Sequence, residues 1–218
     1  FSSQEMHSSN VPDYTNDVAP ILAEKCANCH REGGIAPFAM NSHQMVKGWS
    51  PMIKETLMTK RMPPAQVDPQ VNHFSNARYM EIDELQTLVH WIDAGAPRGR
   101  NESDPLSELE FREGWQLGEP DHIVYSERFT VPATGVVDYR FPVIDLPFEE
   151  DKWVKAVQFM PSERQVVHHM IARVVEPNFD RTKATSERGE ARFLEGFAPG
   201  KDDATQFPEG TGVFIPVG

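Results

Sequence analysis

Cysteine is scarce in this chain: Cys26 and Cys29 are the only two in 218 residues. That excludes a disulfide-dense scaffold, which would need several pairs. Apolar runs are short as well. None reaches the roughly 20 residues that a bilayer-spanning helix requires, so the visible chain is expected to be soluble, with no transmembrane segment. Basic residues are outnumbered, 21 Lys+Arg against 33 Asp+Glu, for a net charge of -12. This balance argues against nucleic acid or an anionic membrane surface as partner and suits a basic protein partner better. The length allows one large domain or two of about 100 residues, each able to bury its own core.

The two cysteines stand in Cys26-Ala27-Asn28-Cys29-His30. Two thiols three positions apart, followed at once by an imidazole, fit covalent attachment of a c-type haem. The thiols add across the porphyrin vinyl groups, and the histidine binds the iron from one side. A structural disulfide, a redox Cys-x-x-Cys or half of a zinc site are the alternatives. A zinc site needs two further ligands, and a thioredoxin-type motif lacks the trailing histidine.

Taken in order, residues 1–11 are polar and read as an arm in which Met6 and His7 are solvated. A helix is expected from Tyr14, capped by Thr15 or Asn16, with Pro20 in its first turn and Val18, Ile21 and Leu22 leading to Cys26. The loop at 33–38 has two glycines that allow close approach to a flat ligand. Asn41 or Ser42 caps a second helix carrying Met45, Val46 and Trp49, and Ser50-Pro51 reads as a fresh start followed by Ile53 and Leu57. Pro63 and Pro64 break that helix, so Met62 is presented on a rigid turn. There its thioether could serve as the second axial haem ligand and raise the potential relative to a second histidine.

Met62 has rivals. Met40, Met45, Met52, Met58 and Met80 read as core filler, whereas His43 and His73 offer a bis-histidine alternative. A last helix over 83–94 carries Leu85, Leu88, Val89 and Ile92 on one face, with His90 off that stripe. Gly95 and Pro97 end it.

These features together resemble a class I-type cytochrome c domain over 12–95, of the bacterial kind that ends in a Trp-Ile-Asp-Ala-Gly-Ala-Pro segment, here 91–97, after a Met-Pro-Pro turn. The resemblance implies an all-α haem domain in which Cys26, Cys29, His30 and Met62 hold haem c. It also implies export to the periplasm or cell exterior, where such haem is attached. The start at Phe1 rather than Met agrees with a removed leader or an unseen upstream region.

Residues 96–110 are polar and turn-rich and read as a linker. Beyond them, strands are expected at 122–125, 129–131, 136–141, 153–159 and 165–175, all β-branched or aromatic and separated by Pro, Gly or Asp. They suggest an all-β sandwich of jelly-roll character. Within the last of them lie His168 and His169. Imidazole suits copper, zinc or iron. Consecutive strand residues face opposite ways, so both can reach one metal only where the strand twists, bulges or ends.

The stretches at 114–121, 136–141, 150–154 and 167–170 resemble the N-terminal domain of the ascorbate-dependent type II copper monooxygenases, the family of peptidylglycine and dopamine β-monooxygenases. The similarity covers 111–218. It implies that His168 and His169 bind the electron-accepting copper, with Met170 beside the site. The family's third histidine follows a segment like 208–218, and the chain ends there; 178–218 contains no His, Cys or Met, and His122 is a poor substitute. The β domain is therefore expected to be incomplete, continued by a missing C-terminal domain or completed by a partner chain. Two functions follow: a haem protein delivering electrons to a copper monooxygenase-like domain, or an electron-transfer cytochrome whose β domain is a metal-free docking module. A purely structural haem protein is a third, weaker reading. Ser162 and Ser186 lack any nucleophile-elbow context.

Overall fold

A computed structural model describes residues 11–64, 67–68, 70–74, 77–184, 191–201 and 203–217. Met6, His7, Ser186 and Gly218, all singled out above, lie outside the described residues. The chain divides into two compact units, Phe1–Phe111 and Arg112–Gly218.

The first unit opens with a single π-helical turn, Tyr14–Val18, that runs directly into helix α1, Ala19–Lys25. Asp13, rather than Thr15 or Asn16, is its cap: one carboxylate oxygen accepts from the amides of Thr15 and Asn16 at 3.0 Å each. Helix α2 spans His43–Met58, capped by Ser42. It passes straight through Pro51 instead of restarting there. Ser50 donates its hydroxyl to the Lys47 carbonyl at 2.8 Å, the acceptor whose i+4 amide Pro51 cannot provide. Helix α3, Ile82–Asp93, begins with a capping box in which Glu81 and Glu84 exchange side-chain and backbone bonds. Gly95, at φ +88°, ends it, since a residue with a Cβ is strained there.

Helix burial follows the 3.6-residue period. Val46, Ser50, Ile53 and Leu57 form the inner face of α2, and Leu88 and Trp91 that of α3. They close one core with Tyr14, Val18, Ala19 and Leu22. Residues 96–110, expected as a linker, belong to this unit: Ala96 and Leu106 are buried in the same core, with Leu109 packed against it. Asp104 fixes the segment in place, accepting from the Tyr14 hydroxyl and from the His43 amide, each at 2.7 Å.

The second unit is built from three antiparallel pairs. Strand β1, Lys152–Val154, pairs with β6, Val213–Ile215; β2, Ala156–Val157, with β5, Thr205–Gln206; and β3, Met170–Val174, with β4, Arg192–Phe197. The β3–β4 register shifts between Ala172 and Arg173. Side chains tie the pairs to their neighbours. Lys201 donates to Glu195 at 2.6 Å and to Thr205 at 2.8 Å, linking β4 to β5. The amide of Gln116 donates to Gln158 Oε1, and Gln116 Oε1 accepts from the Ala204 amide, both at 2.9 Å.

Both halves of the expected fold class need correction. The first unit is not an all-α cytochrome domain: its three helices are short and alternate with long irregular segments. Nor is the second a jelly-roll sandwich, because each described strand has one partner and no pair extends into a layer that could face another. The stretches at 122–125, 129–131 and 136–141 are not strands, and Ile123, Tyr125, Phe129, Val137, Tyr139 and Phe141 are exposed. Alternating β-branched and aromatic residues supply strand propensity, but a strand forms only where a partner completes its ladder.

Candidate functional site

The Cys-x-x-Cys-His segment is a turn at the end of α1. Cys26 is the C-cap, its amide held by the Leu22 carbonyl at 3.0 Å. The Cys26 carbonyl then accepts from the amides of Cys29 at 3.1 Å and His30 at 3.0 Å. One carbonyl thus gathers both thiol-bearing residues and the imidazole into a single turn. The cysteines are not joined as a disulfide. Burial, then the neighbouring Cys29 and Glu84, push the Cys26 thiol up to about 12. That is the reverse of a redox Cys-x-x-Cys, whose thiol is tuned downward.

His30 is 9 % exposed, and its Nδ1 lies 3.0 Å from the Phe38 carbonyl. With Nδ1–H donating to that oxygen, Nε2 carries the free lone pair; such backbone anchoring commonly orients a ligating imidazole. Burial lowers the His30 pKa, against a smaller upward pull from the Phe38 carbonyl, so the ring is held in the neutral form that binds iron. The loop arrives at His30 by close backbone packing. A Cβ on Gly34 would lie 2.4 Å from the Cys29 carbonyl, and the Met40 amide donates to the His30 carbonyl at 2.7 Å. Gly34 thus admits the chain's own carbonyl, while the space beside Gly33 is open.

Around His30 the side chains are apolar. The Phe38 ring lies 4.6 Å from the imidazole and stacks on Trp49 at 4.4 Å, the two rings nearly parallel. Trp49 belongs to a second apolar stripe on α2, with Met45 and Met52 at helical spacing, and all three are exposed. An unbridged thiol pair, a neutral imidazole with a free Nε2 and an uncovered apolar stripe fit a covalently held haem.

The candidates for the second axial position are sorted by their surroundings. His43 is buried in the core, its Nε2 3.0 Å from the Ala96 carbonyl and its ring edge-on to Tyr14 at 4.8 Å. It is a satisfied core histidine. His73 and His90 are exposed. Met40 is buried in the core and Met80 packs against it, while Met45, Met52 and Met58 lie at the surface. Met62 is 39 % exposed, just beyond α2, where the amides of Arg61 and Met62 both turn back to the Thr56 carbonyl, at 2.9 and 3.2 Å.

Two charged neighbours of the thiols escaped the reading of the sequence. Arg78 Nη1 stands 4.0 Å from Cys29 Sγ. Lys25 lies between Glu24, at 2.9 Å, and Glu84, at 3.6 Å. Arg78 sits 49 positions from Cys29, and no local pattern signals such a contact.

In the second unit, His168 and His169 stand just before β3 begins at Met170, so strand alternation does not separate them. Their Nδ1 atoms are 2.7 Å apart, with ring centroids 4.2 Å apart and planes at 78°. Both rings are exposed. Two nitrogens so placed can share a proton or meet at one cation. Together the two imidazoles could supply two nitrogen ligands to a metal such as copper or zinc. Among the described residues no group of three or more His, Cys, Asp or Glu side chains is arranged to hold a metal ion, so the pair by itself is a partial ligand set. His122 packs edge-on to Phe148 at 4.7 Å.

Compared with protein-family models, with curated proteins and with solved structures, the chain finds no match. Among the described residues no helix is long and apolar enough to cross a membrane.

Proposed function

We propose that this chain is an electron-transfer protein that carries haem c on Cys26 and Cys29, with His30 as axial ligand, and delivers electrons to a copper monooxygenase-like site. The observation that carries the reading is the turn itself: an unbridged thiol pair followed by an imidazole whose Nδ1 is committed to the Phe38 carbonyl. The haem, when bound, supplies a one-electron ferric/ferrous couple. The protein's own contribution is orientation and exclusion of water. Phe38 fixes the tautomer of His30 and, with Trp49, walls one side of it. Met62 is the proposed second axial ligand, and the Thr56 carbonyl sets the backbone turn on which it is carried.

His168 and His169 are proposed to hold part of a copper site, since their Nδ1 atoms converge. Further ligands and the oxygen chemistry would come from a continuation of the chain or from a partner. The similarity to cytochromes c and to copper monooxygenases, an exported location and a basic redox partner belong to the same proposal. The alternative is a second unit that serves as a docking module without metal, with both imidazoles exposed at its surface.

The test is elemental and optical. Protein matured in a host that attaches haem c is assayed for iron and copper, and for covalent haem by intact mass and the pyridine haemochrome spectrum. One covalent haem in the parent and none in Cys26→Ser/Cys29→Ser supports the haem reading; no covalent haem in the parent overturns it. Copper bound by the parent and lost in His168→Ala/His169→Ala supports the copper site. Copper-free parent protein leaves the docking module in its place.

A further inference from the structure

The sulfur of Cys29 faces a fixed positive charge. Arg78 brings Nη1 to 4.0 Å from Cys29 Sγ in a partly buried contact. A guanidinium stays protonated at any working pH. Sulfur keeps its acceptor lone pairs as a thioether, so the contact is compatible with haem attachment. Once bonded, that sulfur is one bond from the porphyrin periphery. At the other thiol one cation is set against two carboxylates, Lys25 lying between Glu24 and Glu84 beside Cys26. A neutral residue in place of Arg78 removes one positive charge from the Cys29 side and leaves the charges beside Cys26 as they are.

We propose that Arg78 is a potential-setting residue, raising the haem reduction potential through the charge it holds beside the Cys29 thioether. The inference rests on the haem reading above. Reduction adds one electron to the iron, and a nearby cation favours the reduced form. For a partly exposed unit charge at this remove, the effect on a one-electron equilibrium is about tenfold, or about 59 mV.

The experiment is a redox titration of holoprotein, followed by the haem visible spectrum, on the parent, Arg78→Gln, Arg78→Met, Arg78→Lys and the exposed control Arg100→Gln. Covalent haem content is checked by mass in each. Arg78→Gln and Arg78→Met are expected to lower the reduction equilibrium about tenfold, while Arg78→Lys stays within about twofold of the parent and Arg100→Gln is unchanged. Loss of packing alone would not be repaired by lysine. A potential unchanged in both neutral variants, or lowered equally in Arg78→Lys, overturns the role of Arg78 and leaves the haem reading standing. A parent that takes up no haem overturns the haem reading itself.

Discussion

Trp91 and Trp153 summarise the two halves of the chain: one indole is 1 % exposed at the centre of a core, the other 68 % exposed in the middle of a three-residue strand. In the first unit, each helix makes its hydrogen bonds internally and has only to present an apolar face. Trp91 adds a bond from Nε1 to the Pro97 carbonyl at 2.9 Å, and Tyr14 stacks on it at 6.0 Å. In the second unit the bonds are non-local, as where Lys152 pairs with Ile215 and Ala156 with Gln206. A local ladder can form as soon as its face is covered, whereas a strand with one short partner buries little. The difference is one of contact range, not of apolar content.

The comparison can be broken most decisively by native-state amide exchange. The inner amides of α2 and α3 are expected to be protected by orders of magnitude, and those at 121–150 to exchange close to unstructured rates. Strong protection at 122–141 would mean that those residues pair after all. Next, Trp91→Ala should cost the first unit about 3–5 kcal/mol in denaturant unfolding, whereas Trp153→Ala should cost the second less than about 0.5 kcal/mol. Equal costs would erase the contrast. Tyr14→Phe leaves Asp104 without one donor and is expected to cost about 1–3 kcal/mol, read as a lower urea midpoint for the first unit alone.

The smallest effect concerns Glu195. Burial raises its pKa, but Lys201, Thr205 and the Gly196 amide together hold it below 4.5, its ordinary value. The unfolded chain therefore takes up the proton first as pH falls. The contribution is fully present above about 4.5 and is lost as pH drops through the folded value. Amide protection in β4 should decline over that interval in the parent and show no such step in Glu195→Gln.

Legibility followed the same divide. The Ser42 cap, the end of α2 before Met62 and the stop of α3 at Gly95 could all be read from the sequence, because each is written within a few residues; the face expected on α3 contained Leu88 but missed Trp91, its other buried residue. Pro51 misled, since Ser50 takes over the Lys47 carbonyl and the helix continues. Residues 96–110 misled too. Their polar composition reads as linker, while the decisive residues are Leu106 and Asp104, whose partners lie far back in the chain. The imidazole and thiols of the candidate haem site were legible as a motif, but the Phe38 carbonyl and Arg78 were not, because backbone acceptors and distant guanidiniums leave no spacing pattern. The His168/His169 pair depended on where a strand starts, which pattern alone placed too early.

Asp104 also fixes how the first unit can be moved. A portable module cut after Gly95 would leave the phenol of Tyr14 and the amide of His43 without their acceptor and would uncover the part of the core that Leu106 fills. A graft that ends at Phe111 carries its own lid. The natural seam for recombining this unit with another protein lies beyond the third helix, after the polar stretch that looks dispensable.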